Sequence, residues 1–273
     1  LTGTIGAKNL TATIAGGITL TNSVTITAGA ATKLAIVQQA AGSVNAVAFT
    51  TQPQVVFQDI SGNTVTDSTA TITVETSGST LSGNSTAPTL VNGVATFAGL
   101  GKAGTIGAKT LTFSDAAGAL TVATKQFTLT HGAAHHTSLA LASTLANNTA
   151  FATQPVVTIY DQDNNVVTSG SQSSQTVTLS ATGATTVAIG GSISMDALEG
   201  VANFTGKGVK LTGLVGSKTL TATITSGNGF AKDTAITLTY GAATKVKLTT
   251  EPAGFVNRTN FTTQPVVTVQ DVS

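Results

Sequence analysis

The sequence has no cysteine, no tryptophan, one methionine and a single arginine, Arg258, in 273 residues. Without thiols there is no disulfide framework, no thiolate metal site and no catalytic cysteine. Charge is scarce too: Asp, Glu, Lys and Arg make up 8% of the chain, against roughly 25% in ordinary soluble domains. A net charge of +1 offers no field for nucleic acid or an anionic membrane, and one arginine cannot form a bidentate phosphate cluster. Nucleic-acid partners are excluded on that ground. No apolar run approaches the roughly 18 residues that span a membrane. There is no initiator methionine, signal peptide or lipidation motif, so membrane insertion is not expected in this segment, and export and anchoring are expected outside these residues. Aromatics are only 4%, which leaves no stacking platform for a polysaccharide. Absent cysteine and scarce methionine suit a bacterial protein exported unfolded, since mispairing and oxidation are avoided. That reading places the chain outside the cell, on the cell surface.

What is present is threonine, about a fifth of the residues. A surface so poor in charge must be made of hydroxyls and amides. Threonine serves because its branched Cβ favours extended backbone while its hydroxyl faces water.

Self-similarity organises the chain. Gly29-Ala30-Ala31-Thr32-Lys33 recurs as Gly132-Ala133-Ala134-His135-His136 and as Gly241-Ala242-Ala243-Thr244-Lys245, a period of about 105 residues. Thr51-Gln52-Pro53, Thr153-Gln154-Pro155 and Thr263-Gln264-Pro265 follow in the same register. Gly93-Val94-Ala95-Thr96-Phe97 matches Gly200-Val201-Ala202-Asn203-Phe204. Ile5-Gly6-Ala7-Lys8, Ile106-Gly107-Ala108-Lys109 and Val215-Gly216-Ser217-Lys218 form a last set. The expected division is the C-terminal part of one repeat (1–28), two full repeats (29–131 and 132–240) and the N-terminal part of a further repeat (241–273). The chain then reads as a window on a longer array, with half-cores at both ends carrying Leu10, Ile14, Val24 and Ile26 or Val246, Val267 and Val269.

Within a repeat the apolar period is two, as in Leu10, Ala12 and Ile14, or Leu220, Ala222 and Ile224, each alternating with threonines that run on to Thr225. Val55 and Phe57, Ile72 and Val74, Ala95 and Phe97, and Leu111 and Phe113 are the predicted inward positions. Turns are predicted at Ser61-Gly62-Asn63, Asn92-Gly93, Asp163-Asn164-Asn165 and Gly227-Asn228-Gly229. About seven short strands per repeat make the fold class all-β: tandem immunoglobulin-like β-sandwich domains in an extended array. On Gln52-Pro53, Val55-Val56-Phe57-Gln58-Asp59, Gly62-Asn63-Thr64-Val65 and Asn92-Gly93-Val94-Ala95-Thr96, the sequence resembles the bacterial immunoglobulin-like repeats of large surface proteins. That group includes the stalk domains of invasin and intimin. The resemblance implies the fold and a hairpin after the second strand, and implies no particular ligand.

No catalytic, cofactor-binding or metal-ligating residue is assigned, no cofactor is expected, and the chain is read as not an enzyme. Asp161, Asp163 and Asn165 have the spacing that opens a calcium loop, but the glycine and bidentate glutamate that complete one are missing. A hairpin turn is expected there, leaving at most a weak calcium position on Asp161 and Asp163. His131, His135 and His136 lack a neighbouring carboxylate or thiolate and read as exposed linker histidines. Lys8, Lys109 and Lys218 share one repeat position. An isopeptide there needs a buried carboxylic acid that does not recur, so they read as strand-edge lysines that discourage edge pairing. Sequons at Asn9, Asn84, Asn147, Asn203 and Asn257 are no more frequent than chance allows. Almost no linker separates the repeats, which predicts a semi-stiff rod. The expected function is a structural, load-bearing segment of a fibre, sheath or S-layer, with the stalk of a giant adhesin as the alternative. Its expected partners are copies of itself or neighbouring repeats, with any host or cell-surface ligand bound through other regions.

Overall fold

The computed structural model describes residues 2–78, 80–83, 90–118, 120, 122–224 and 229–273. Asn84, Thr225 and the Gly227-Asn228 part of one predicted turn lie outside them. The chain divides into two compact units, Leu1–Gly132 and Ala133–Ser273.

In the first unit β1 (Gly6–Thr13) and β2 (Thr19–Ile26) pair as an antiparallel hairpin. The strands that follow are β3 (Lys33–Gln38), β4 (Val47–Ala48), β5 (Gln54–Gln58), β6 (Ile72–Thr76), β7 (Leu81–Ser82), β8 (Val94–Thr96), β9 (Gly101–Lys102), β10 (Gly107–Asp115) and β11 (Ala123–Leu129). One sheet has the order β3-β5-β8 and the other β11-β10-β6, while β4, β9 and β7 form a small third sheet. First, second and fifth main strands against third, sixth and seventh is the immunoglobulin plan. The eight predicted inward residues are all buried, none more than 4% exposed, and they close one core from both sheets. Phe97 and Phe113 meet there with ring centroids 5.5 Å apart.

The second unit repeats the plan with β12 (His136–Ala140), β13 (Thr144–Ala146), β14 (Val156–Tyr160), β15 (Thr176–Gly183), β16 (Val187–Gly190), β17 (Ser194–Asp196), β18 (Val201–Asn203), β19 (Lys210–Gly213), β20 (Gly216–Ile224) and β21 (Ala231–Thr239). Sheet β12-β14-β18 packs on β13-β21-β20-β15-β17 around Val157, Ile159, Leu179, Phe204, Leu220 and their neighbours. A last pair, β22 (Lys245–Thr250) and β23 (Val266–Gln270), completes the unit. Among the described residues the helical content is one 3-10 turn, Ser171–Ser174.

Two details explain the repeated landmarks. Gly93 and Gly200 have φ of 75° and 80°, and a Cβ on either would sit 2.5 Å from the carbonyl oxygen of Val65 or Val167. Only glycine meets both demands, so the Gly-Val-Ala segment recurs. In both repeats a short N-terminal segment also runs parallel to the last strand: Val44 bridges Thr130, and β13 pairs with β21 through Leu145 and Leu238.

The terminal hairpins carry the exposed faces anticipated for Leu10 (57%), Ile14 (62%), Val246 (69%), Val267 (56%) and Val269 (70%). Val24 and Ile26 differ, being half-buried. Here the hairpin leans on the first repeat, where Ile5 N–H donates to Asn63 Oδ1 and Asn63 Nδ2 donates to Gly3 O.

Candidate functional site

The chemistry of this chain is concentrated where a sandwich begins. Asp59 follows β5, and its Oδ1 accepts the N–H groups of Ser61 and Asn63, each at 2.9 Å. Its Oδ2 accepts Asn63 Nδ2 at 2.9 Å and Gly29 N–H at 3.1 Å. The Asn63 amide, aided by the Gly29, Asn63 and Ser61 N–H groups, holds this carboxyl down at about 2, against an opposing push from burial. Asp271 repeats the arrangement after β23: Oδ2 accepts Gly241 N–H at 3.0 Å and Asn147 Nδ2 at 2.8 Å, and Oδ1 accepts Ser273 N–H at 3.0 Å. Gly241 and then Asn147 place its carboxyl below the ordinary value. One carboxylate thus ties Gly29, between β2 and β3, to the turn after β5, and another ties Gly241, between β21 and β22, to the turn after β23.

At Asp161 the same turn forms, with Oδ1 accepting Asp163 N–H and Asn165 N–H at 2.9 Å each. Asn165 presents its amide NH2, a donor, to both carboxylate oxygens. A cation ligand would have to present oxygen. Among the described residues no group of three or more His, Cys, Asp or Glu is placed to hold a metal ion.

Sequence reasoning missed the partner of this carboxylate. Asn147 is 2% exposed; besides reaching Asp271, it accepts Gly213 N–H on Oδ1 at 3.0 Å. Asn45 accepts Gly104 N–H in the same way at 2.9 Å. The signal was available: Asn45, Asn147 and Asn257 each precede the glutamine of the Thr-Gln-Pro landmark by one fixed interval. The residue after each, Ala46, Asn148 or Arg258, has a left-handed φ of 61°, 58° or 64°. Asn147 and Asn257 read as uninformative sequons because that triplet is common in a threonine-rich chain.

The glutamine of the landmark is a backbone clasp. Gln52 donates to Phe49 O and Leu100 O and accepts Leu100 N–H. Gln154 does the same with Phe151 O, Val209 O and Val209 N–H. The next residue, proline, leaves its carbonyl for Phe97 N–H or Phe204 N–H.

The strand-edge reading is corrected by strand order for Lys109 and Lys218, while Lys8 lies on β1 of a two-stranded sheet. Lys109 and Lys218 lie on β10 and β20, each paired on both sides, and Lys218 is 1% exposed. Its stem packs over Gly183 and its amine donates to Thr185. Lys8 and Lys109 reach Thr4 and Thr105. In each case the amine's partner is a threonine hydroxyl, four residues upstream for Lys8 and Lys109 and in the bend after β15 for Lys218. A second buried lysine, Lys102, donates to Gly78 O.

The histidines fall in both units. His131 closes the first unit, with Nδ1 2.9 Å from Gly132 O. His135 and His136 open the second, their Nδ1 atoms 3.4 Å apart. His136 stacks on Tyr160 at 5.4 Å and 18° and bonds Asn164 Oδ1 through Nε2 at 3.1 Å. Among the described residues no helix is long and apolar enough to cross a membrane.

No protein-family model and no curated protein matches the sequence. Solved structures are similar to it at low identity. The Escherichia coli adhesin FdeC is 16% identical over 86% of this chain and 74% of that one, with a TM-score of 0.40. The Yersinia pseudotuberculosis adhesin InvE is 14% identical over 81% and 69%, with a TM-score of 0.34. Invasin, a bacterial integrin-binding protein, is 14% identical over 90% of this chain and 48% of its own, with a TM-score of 0.39, so this chain spans about half of it.

Proposed function

We propose that the chain is a load-bearing segment of a long extracellular bacterial surface protein, serving in a fibre, sheath or surface layer. In this reading residues 1–28, 29–131, 132–240 and 241–273 are parts of four consecutive repeats, and neighbouring repeats are the partners. The observation that supports it is the parallel pairing, inside each full repeat, of the last strand with a short segment that follows the first strand. Thr130 N–H donates to Ser43 O and Asn45 N–H to Thr130 O, each at 2.9 Å; Thr237 N–H donates to Ser143 O at 2.8 Å and Asn147 N–H to Thr239 O at 2.9 Å. When the ends of a repeat are pulled apart, parallel neighbours slide along each other, so these bonds break together in shear. An antiparallel hairpin loaded at its open end would lose them one at a time. The Asp59 and Asp271 clasps pass the load from one sandwich to the next turn.

Single-molecule stretching of the full chain tests this. Two force peaks are expected, one per full repeat. Thr130→Pro and Thr237→Pro each remove one clamp N–H and are expected to lower one peak and leave the other. Extension without peaks, or proline variants with unchanged forces, would refute the load-bearing role.

A further inference from the structure

We propose that His135 and His136 form a two-imidazole surface site for a late first-row divalent cation such as Zn2+ or Cu2+. Three independent features converge on it. The first is distance: the two Nδ1 atoms are 3.4 Å apart. Two nitrogens at about 2.0–2.1 Å from one tetrahedral ion are separated by about 3.3–3.4 Å. The ring planes are 83° apart; the ion would replace the proton that the two Nδ1 atoms can share across this contact.

The second is tautomer. His136 donates Nε2–H to the amide oxygen of Asn164, which leaves its Nδ1 as the lone-pair nitrogen facing His135. A second-shell carbonyl that fixes the far ring nitrogen is how proteins orient a ligating imidazole. Cross-strand pairing sets the ring opposite Tyr160, which stacks on it. His135 is held at the end of the same ladder by its N–H to Tyr160 O at 2.7 Å.

The third is the turn. Asn164 has φ 64° at the position where the first repeat has Gly62 at φ 84°. A left-handed position that glycine fills without strain here carries an asparagine, and its side chain is the one that holds His136. The other copies of this landmark carry Thr32-Lys33 and Thr244-Lys245 in place of the histidines, so the site belongs to one repeat. His135 is exposed, and water or a donor from another molecule completes the coordination sphere.

The test uses the full chain carrying His131→Asn, so that binding reports on the pair. ZnCl2 is titrated by calorimetry and by imidazole nitrogen NMR. One ion per chain is expected, with both Nδ1 resonances shifted and the His136 Nε2 proton retained. His135→Asn or His136→Gln is expected to weaken binding at least tenfold. Asn164→Gly, which restores the residue of the first repeat, is expected to weaken it about tenfold while the turn stays folded. Zinc bound through His136 Nε2, affinity unchanged in either histidine variant, or affinity unchanged in Asn164→Gly would overturn the proposal.

Discussion

Lys102 and Leu211 fill one position in the two full repeats, and each is 0% exposed. The first repeat therefore encloses an amine where the second encloses a methyl-bearing chain. Burial, and then the charge of Lys109, pushes the Lys102 amine below its ordinary value. The unfolded chain holds that proton more tightly than the folded one, so stability of this repeat rises as pH climbs toward the ordinary lysine range. Lys102→Leu is expected to stabilise the first repeat by about 1 kcal/mol or more, a rise of a few degrees in its melting temperature. It should also flatten the alkaline dependence; a fall in melting temperature would contradict this. At the other extreme, Phe97→Ala and Phe204→Ala each empty the centre of one core and are expected to cost about 3–5 kcal/mol. Two-transition calorimetry checks that each loss stays in its own repeat. The inward residues could be read from alternation because threonine on one face leaves the period of two unmasked. Lys102 could not, since Gly101-Lys102-Ala103 has no alternation and a lysine in a turn-rich stretch reads as solvated.

At the scale of strands and turns, the Asp59 turn is the element most open to titration. Its carboxyl, held at about 2 by Asn63 and three N–H groups, has a folded value below the unfolded one. The stability it contributes is complete above about pH 4 and is lost as pH falls through about 2. Carboxyl NMR of Asp59, with the Gly29 amide as reporter, is expected to show one coupled transition near pH 2 that vanishes in Asp59→Asn. An ordinary carboxylate midpoint would mean that the clasp does not form in solution. The turn itself was legible from Asp59, Gly62 and Asn63. Its link to Gly29 was not, because a hydrogen bond across 30 residues leaves no local pattern. The same limit explains the lysines: Lys109 and Lys218 looked like edge residues because sequence alternation says which face a residue takes, not which strands flank it. The parallel clamp at Val44 and Leu145 was hidden for a further reason, since segments this short have no period to detect.

For the whole molecule, repetition was the strongest signal in the sequence, and it exposed the sandwich plan before any strand was placed. It could not show that the recurring Asn45, Gln52, Asn147 and Gln154 side chains hold that plan together with uncharged groups. Only 12 basic and 11 acidic side chains occur in the chain. Among the described residues the Asn45, Gln52, Asn147 and Gln154 contacts that fix loops to cores include amide-to-peptide bonds, in which dissolved ions have little to screen. Melting temperatures in dilute buffer and in molar sodium chloride are therefore expected to lie within a few degrees of each other, and a large fall in salt would show that ion pairs carry more of the stability than the clasps do. If the chain bears load as proposed, the two parallel clamps would hold alike from fresh water to brine, because their bonds run peptide to peptide and carry no net charge for salt to screen.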